Sequence, residues 1–213
     1  MRRNLVGNYD LDSITSMELD VLREIGNIGA GNATTALAQM LQRKIDMSVP
    51  TAELIEFKHL GDTIGGEETV MAGVYMTVKG DITGSMMFLL KKESARRLTS
   101  QLLFRSADDI DPDAEFDEME ISAMKEIGNI MTGSYLNSMS DLTRLKIYPS
   151  VPDITIDMAG AILSVPAIEF GVLGDKILMI QTRFFDEVEI DGYFILVPDI
   201  DSYHKILEAL GMA

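Results

Sequence analysis

The chain has 213 residues, of which 46% are hydrophobic, with a formal net charge of −16 and no cysteine. That composition describes a globular protein rather than a disordered one, and it excludes disulfides, a thiol nucleophile and cysteine-ligated metals. The acidity argues against nucleic acid or anionic lipid as partners, because it cannot neutralise a phosphate backbone, while permitting a basic protein partner.

No apolar run approaches the ~20 residues of a membrane helix. The start, Met1-Arg-Arg-Asn-Leu-Val-Gly-Asn8, lacks the apolar stretch of a signal peptide. A cytoplasmic protein without membrane insertion is expected.

The first helix signal is Thr15 three residues before Glu18, a capping box in which each residue satisfies the other's backbone. Val21, Leu22, Ile25, Ile28, Ala33, Ala36, Leu37 and Met40 then recur at helical spacing over more than 20 residues. Pro50 enforces extended backbone just after this helix has ended. Residues 52–57, 69–79 and 85–90 read as strands, with Gly80-Asp81 as a hairpin turn, and 92–104 as a closing helix.

The connector 108–117 is crowded with acids and reads as a solvated linker. After it the whole order repeats. Asp117 and Glu120 form the second capping box, 102 positions after the first, and Ile121, Met124, Ile127, Ile130, Leu136, Met139 and Leu142 mark the second helix. Pro152 stands where Pro50 stood; strands follow at 153–156, 176–184 and 193–197, and a closing helix at 202–210 ends at Gly211. Residues 157–163 read as a helix-like insertion with no counterpart in the first half. The expectation is an α/β (α+β) fold in one domain, 1–213, built from two helix–three strands–helix repeats at about 12–107 and 114–211.

Within each long helix a polar triplet recurs: Asp20, Glu24, Asn27 in the first and Ser122, Glu126, Asn129 in the second. With Ile25 at zero, the apolar stripe centres at roughly +20°, while Asp20, Glu24 and Asn27 fall at roughly −140°, −100° and −160°. They converge on one outward patch without lysine or arginine. Gly31, repeated as Gly133, falls on the same patch, and a helix-interior glycine costs about 1 kcal/mol relative to alanine. Core packing does not explain Gly31; it flattens the surface so that another backbone can approach. Gly26 and Gly29 lie nearer the apolar stripe and suit a close neighbour.

The run Gly26-Asn-Ile-Gly-Ala-Gly-Asn32 is not a phosphate loop, since it lies inside a helix, follows no strand and lacks the Lys-Ser/Thr pair. His59 and His204 stand apart from ligand-spaced partners, and the 15 methionines read as core filler. A neutral amide donates and accepts, so it can hold one water in a fixed direction. A Glu–Asn pair therefore suits a reaction whose electrophile and metal belong to the partner, as in phosphoryl transfer, where glutamine positions water in small GTPases.

Asp/Ser-x-x-x-Glu-x-x-Asn followed, after 22 intervening residues, by Pro resembles the signature of the CheC/CheX/FliY phosphatases of bacterial chemotaxis, and both copies meet it in full. Two motifs without an added flagellar switch domain are similar to the CheC branch. The resemblance implies an α/β body with pseudo-twofold symmetry and its two motif helices side by side on a sheet. It implies hydrolysis of the aspartyl phosphate of the response regulator CheY. Asn27 or Asn129 would orient the attacking water, and Glu24 or Glu126 would pair with a regulator lysine. Mg²⁺ would come from the CheY active site, with no cofactor of the protein's own. Asp20, Gly31, Ser122 and Gly133 would frame the contact. The receptor deamidase CheD would bind near Asp157 and Met158. The competing readings are a non-enzymatic adaptor that titrates the regulator or CheD and, more remotely, a flagellar switch component.

Overall fold

The computed structural model describes residues 14–106, 111, 114–170, 176–185 and 191–212. Helices α1 (Ser16–Leu41) and α3 (Glu118–Thr143) have 26 residues each and start as expected. The Thr15 amide donates to the Glu18 carboxylate at 2.7 Å, and the Asp117 amide to Glu120 at 2.9 Å; both returning bonds are also made. Each helix stops on a residue in the left-handed region, Gln42 (φ 52°) and Arg144 (φ 60°), again 102 apart.

Each half then lays down four strands. The first gives β1 (Asp46–Met47), β2 (Thr51–Glu56), β3 (Val70–Gly80) and β4 (Gly84–Lys91), closed by α2 (Lys92–Leu102). After α3 the second gives β5 (Ile147–Pro149), β6 (Asp153–Met158), α4 (Ala159–Phe170), β7 (Lys176–Phe185), β8 (Asp191–Pro198) and α5 (Ile200–Ala209). The eight strands form one antiparallel sheet in the order β1-β7-β8-β4-β3-β5, with β2 also on β7 and β6 also on β3. The halves interleave: β1 and β2 pair with β7, β3 pairs with β5 and β6, and at the central β4–β8 seam Met87 pairs with Ile195 and Phe88 with Phe194. A pseudo-twofold axis passes through that seam.

Both faces of the seam are buried, which explains why β4 and β8 read as unbroken apolar runs instead of alternating. Met86, Phe88, Leu90, Phe194 and Leu196 point to the layer holding α1, α3, α2 and α5. Met87, Leu89, Tyr193, Ile195 and Val197 point to the other side, under α4. Phe88, Phe184 and Phe194 stack at centroid distances of 5.2–5.4 Å beneath the long helices.

Three expectations need correction. The segment 157–163 is not an insertion: Asp157 and Met158 end strand β6, and α4 follows at the place where the first half has two 3-10 turns, Phe57–His59 and Gly61–Ile64. Glycine hides this equivalence, because Gly65 and Gly66 take φ of 99° and 111°, and a Cβ on Gly61 would sit 2.2 Å from the Glu67 side chain. Strands β1 and β5, two and three residues long, are too short to leave a period in the sequence. The acidic connector is not wholly solvated either. Residues 107–110 and 112–113 lie outside the described part, but its end packs: Phe116 lies under the Arg96 guanidinium at 4.4 Å and Ala114 accepts a hydrogen bond from it.

Arg96 also faces Glu120 at 3.4 Å with both side chains buried, while Arg105 reaches Glu120 at 3.7 Å and Asp117 at 2.8 Å. Removing one member of a buried pair strands the other charge. In the first half, Glu18 occupies the equivalent capping position but is only partly covered; its carboxyl is held below the usual range chiefly by the Thr15 amide. Glu120→Ala is therefore expected to cost about 3 kcal/mol and Glu18→Ala about 1 kcal/mol or less. Urea unfolding of the two variants checks this difference.

Candidate active site on the two motif helices

The orientation of α1 is set by residues that lack a side chain. A Cβ on Gly26 would lie 2.7 Å from Ile180, and one on Gly29 would lie 2.9 Å from three ring atoms of Tyr135 on α3. On α3, a Cβ on Gly128 would meet Val74 at 2.5 Å. These glycines let α1 approach α3 and let each helix approach the sheet, as expected for Gly26 and Gly29. Asn32 ties the helices together, its amide donating to Ser138 Oγ at 2.8 Å and to the Ile28 carbonyl at 3.1 Å.

With that face turned inward, the triplets point out. Asp20, Glu24, Ser122, Glu126 and Asn129 are exposed, and Asn27 is half-buried. Among the described residues, none offers a hydrogen bond or ion pair to the side chains of Glu24, Asn27, Glu126 or Asn129. The donors and acceptors of both Glu–Asn pairs are thus free for a partner.

Gly31 and Gly133 lie on the same faces with open space before them. A Cβ on Gly31 would come no closer than 4.0 Å to Met47, and one on Gly133 would meet nothing within 4 Å. Neither glycine is required by packing. The stretch of glycines from Gly26 to Gly31 lies wholly inside α1, consistent with its rejection as a phosphate loop.

The site differs from expectation at one point. The patch is not free of cations, since Arg23 bends back to Asp20 at 2.6 Å, both ends being well exposed. The i, i+3 spacing is visible in sequence and was the missed signal. His59 also has an acid beside it, Asp62 at 3.4 Å, but the pair is exposed and isolated. Among the described residues, no three His, Asp or Glu side chains group as metal ligands. No described helix is long and apolar enough to cross a membrane.

The CheC-like family model matches residues 17–54 and 119–156, the motif helices with the first strands after each. CheC of Bacillus subtilis, named a CheY-P phosphatase, is 40% identical over 94% of this chain and 97% of its own length. The chain belongs to the CheC-like family. Among solved structures, Thermotoga maritima FliY superimposes with a TM-score of 0.72 at 24% identity, over 94% of this chain and all of that one. A CheX from Borrelia burgdorferi, solved with CheY, BeF₃ and Mg²⁺, superimposes with a TM-score of 0.55 at 19% identity, over 83% of this chain and 96% of that one. This CheC-like chain thus shares its overall fold with these solved structures. The matched segments also coincide with the two Glu-x-x-Asn stripes.

The open space at Gly31 and Gly133 gives a prediction separating folding from docking. Replacing both by alanine is expected to raise stability by about 1 kcal/mol or more in total through helix propensity, while weakening any partner that lies flat on the stripe. Thermal melts alongside a binding titration against the regulator check both halves of it.

Proposed function

We propose that this protein hydrolyses the aspartyl phosphate of the response regulator CheY, at two equivalent sites centred on Asn27 and Asn129. The observation that carries the reading is the twofold presentation of a Glu–Asn pair with no partner among the described residues, in a chain 40% identical to a CheY-P phosphatase. In this reading the Asn amide enters the regulator's active site. It accepts from and donates to the attacking water, fixing its direction in line with the phosphoryl group. Glu24 or Glu126, one turn before the Asn, forms an ion pair with a regulator lysine and holds the helix in register. The Mg²⁺ that neutralises the phosphoryl oxygens comes with the regulator. The protein adds positioning alone, which needs neither a nucleophile nor a metal of its own.

Two intact sites imply redundancy. Asn27→Ala or Asn129→Ala alone is expected to leave substantial activity, and the double variant to lose it, with the melting temperature nearly unchanged because both side chains face away from the core. The assay is the decay of phosphorylated regulator at substoichiometric protein. Catalytic turnover by the double variant would overturn the assignment of the asparagines, and a purely stoichiometric effect of the unaltered protein would favour an adaptor.

We further propose that the deamidase CheD docks along β6 and α4. Met158, Val165 and Ile168 are exposed there, Ile168 at 79%. Asp157 has a local duty as well, its carboxylate accepting from the Met158 amide at 2.7 Å at the start of α4. Asp157→Ala tests the contact together with that turn, whereas Ile168→Ser tests the contact alone. Both are expected to weaken CheD binding in calorimetric titration without slowing dephosphorylation of the regulator. Undiminished affinity in Ile168→Ser would remove α4 from the interface.

A further inference from the structure

Met17, Asp20, Glu24, Asn27 and Gly31 are spaced by three and four positions, so they form one outward stripe on α1. Met119, Ser122, Glu126, Asn129 and Gly133 form the same stripe on α3. Most methionines are core residues; Met71, Met76, Met86, Met87, Met124 and Met131 are almost wholly hidden from solvent. Met17 and Met119 are not, at 66% and 59% exposed.

A second exposed apolar side chain lies in each half, in the loop that follows the motif helix. The loops Ser48-Val49-Pro50 and Ser150-Val151-Pro152 are identical, and both are clamped to the sheet by the serine. The Ser48 amide donates to the Arg183 carbonyl at 2.8 Å, and the Arg183 amide to Ser48 Oγ at 3.2 Å. The Ser150 amide donates to the Thr77 carbonyl at 2.8 Å, and the Thr77 amide to Ser150 Oγ at 3.0 Å. Pro50 is buried, 3.4 Å from where a Cβ on Gly26 would be, next to Asn27. Serine and proline therefore have structural work. The valine between them has none: Val49 is 79% and Val151 86% exposed.

A single exposed apolar residue is ordinary. Two in each half, at the same repeat positions, one on the stripe and one in the loop after the motif helix, are a patterned surface. From Met17 to Asn27 is about 15 Å along the helix. A standard interface covers about 800 Å² a side, roughly 16 Å in radius. A partner that takes Asn27 into its active site therefore also reaches Met17, and the loop of Val49 as well, since Pro50 lies 3.4 Å from where a Cβ on Gly26 would be.

We infer that Met17 with Val49, and Met119 with Val151, are the apolar anchors on which the phosphorylated regulator docks at each site, an inference that rests on the phosphatase reading above. The serine clamp holds each valine in place before the partner arrives, so little loop entropy is lost on docking. On so acidic a protein, apolar anchors also supply affinity that salt does not screen.

The test isolates one site and changes polarity without changing shape. In the Asn129→Ala background, Met17→Gln keeps an unbranched helix former and Val49→Thr keeps the β-branched stem suited to the residue before proline. The pair is expected to raise KM for the phosphorylated regulator about tenfold with kcat within twofold. It should weaken binding of the BeF₃-activated regulator by a similar factor and leave the melting temperature unchanged. Unchanged KM and affinity would overturn the inference, as would a loss of self-association in sedimentation with KM intact, which would assign the surface to a second copy of the chain. Failure of the phosphatase reading shows separately, as catalytic activity persisting in Asn27→Ala/Asn129→Ala.

Discussion

The close approach of α1 to α3, and of each to the sheet, fixes everything on the outer surface. At Gly26, Gly29 and Gly128 a single added carbon would fall 2.5–2.9 Å from Ile180, Tyr135 or Val74, closer than packed atoms tolerate. Tyr135, wholly buried, fills the space that Gly29 leaves. Once those contacts are made, neither helix can rotate about its axis, and the faces opposite are set. Glu24, Asn27, Glu126 and Asn129 are therefore aimed by the packing behind them rather than by hydrogen bonds beside them. This kind of preorganisation keeps polar groups positioned yet unpaired, which a water-orienting amide needs.

The sheet provides the second constraint. Because the halves join at β4 and β8, with helices covering both faces, the seam is the most deeply buried part of the molecule. Exposed features are left to the periphery: the polar stripes of α1 and α3 on one side, and the exposed apolar side chains of α4 on the other. The surfaces proposed for the regulator and for the deamidase thus lie on opposite faces of one sheet. Two partners could be accommodated without competing for area, and any coupling between them would have to pass through the sheet.

The long helices were legible in the sequence because two independent signals agreed, a 3.6-residue apolar period and reciprocal capping boxes at Thr15–Glu18 and Asp117–Glu120. The outward triplets followed from the same period, and so did the packing role of Gly26 and Gly29. Legibility failed where structure depends on tertiary partners. Strands β1 and β5 exist only as edges paired to β7 and β3, too short to show alternation. The equivalence of α4 with the turns at Phe57–Ile64 was masked by Gly61, Gly65 and Gly66, which break the helical pattern in one copy only. Phe116 looked like part of a solvated linker because nothing local announces Arg96 above its ring. The exposed methionines are the sharpest case: composition marks Met as core filler, and only measured exposure separates Met17 and Met119 from the buried ones.

Comparing the halves shows where the duplication has been free to drift. Both long helices carry a glutamate at the same capping position, but its surroundings differ. Glu120 is buried against Arg96 and also approached by Arg105, whereas Glu18 is partly exposed, with Tyr203 and His204 adding to the pull of Thr15. Beside the triplets the copies differ too: Asp20 and Arg23 form an ion pair in one, and Ser122 and Lys125 stand at those positions in the other. Pro50 is buried against its helix and Pro152 only half so. Some supports have thus diverged, while others are shared: both capping boxes, Ile25 and Ile127, Gly26 and Gly128, and the Ser-Val-Pro loops. On the outward stripe Met, Glu, Asn and Gly recur, and Asp20 gives way to Ser122. Exposed positions tolerate change at little energetic cost, so stability accounts for the shared caps and packing glycines but not for Met, Glu and Asn recurring at outward positions of the stripe. The partner proposed above, meeting both stripes in the same way, is a constraint that would act on those outward positions from outside.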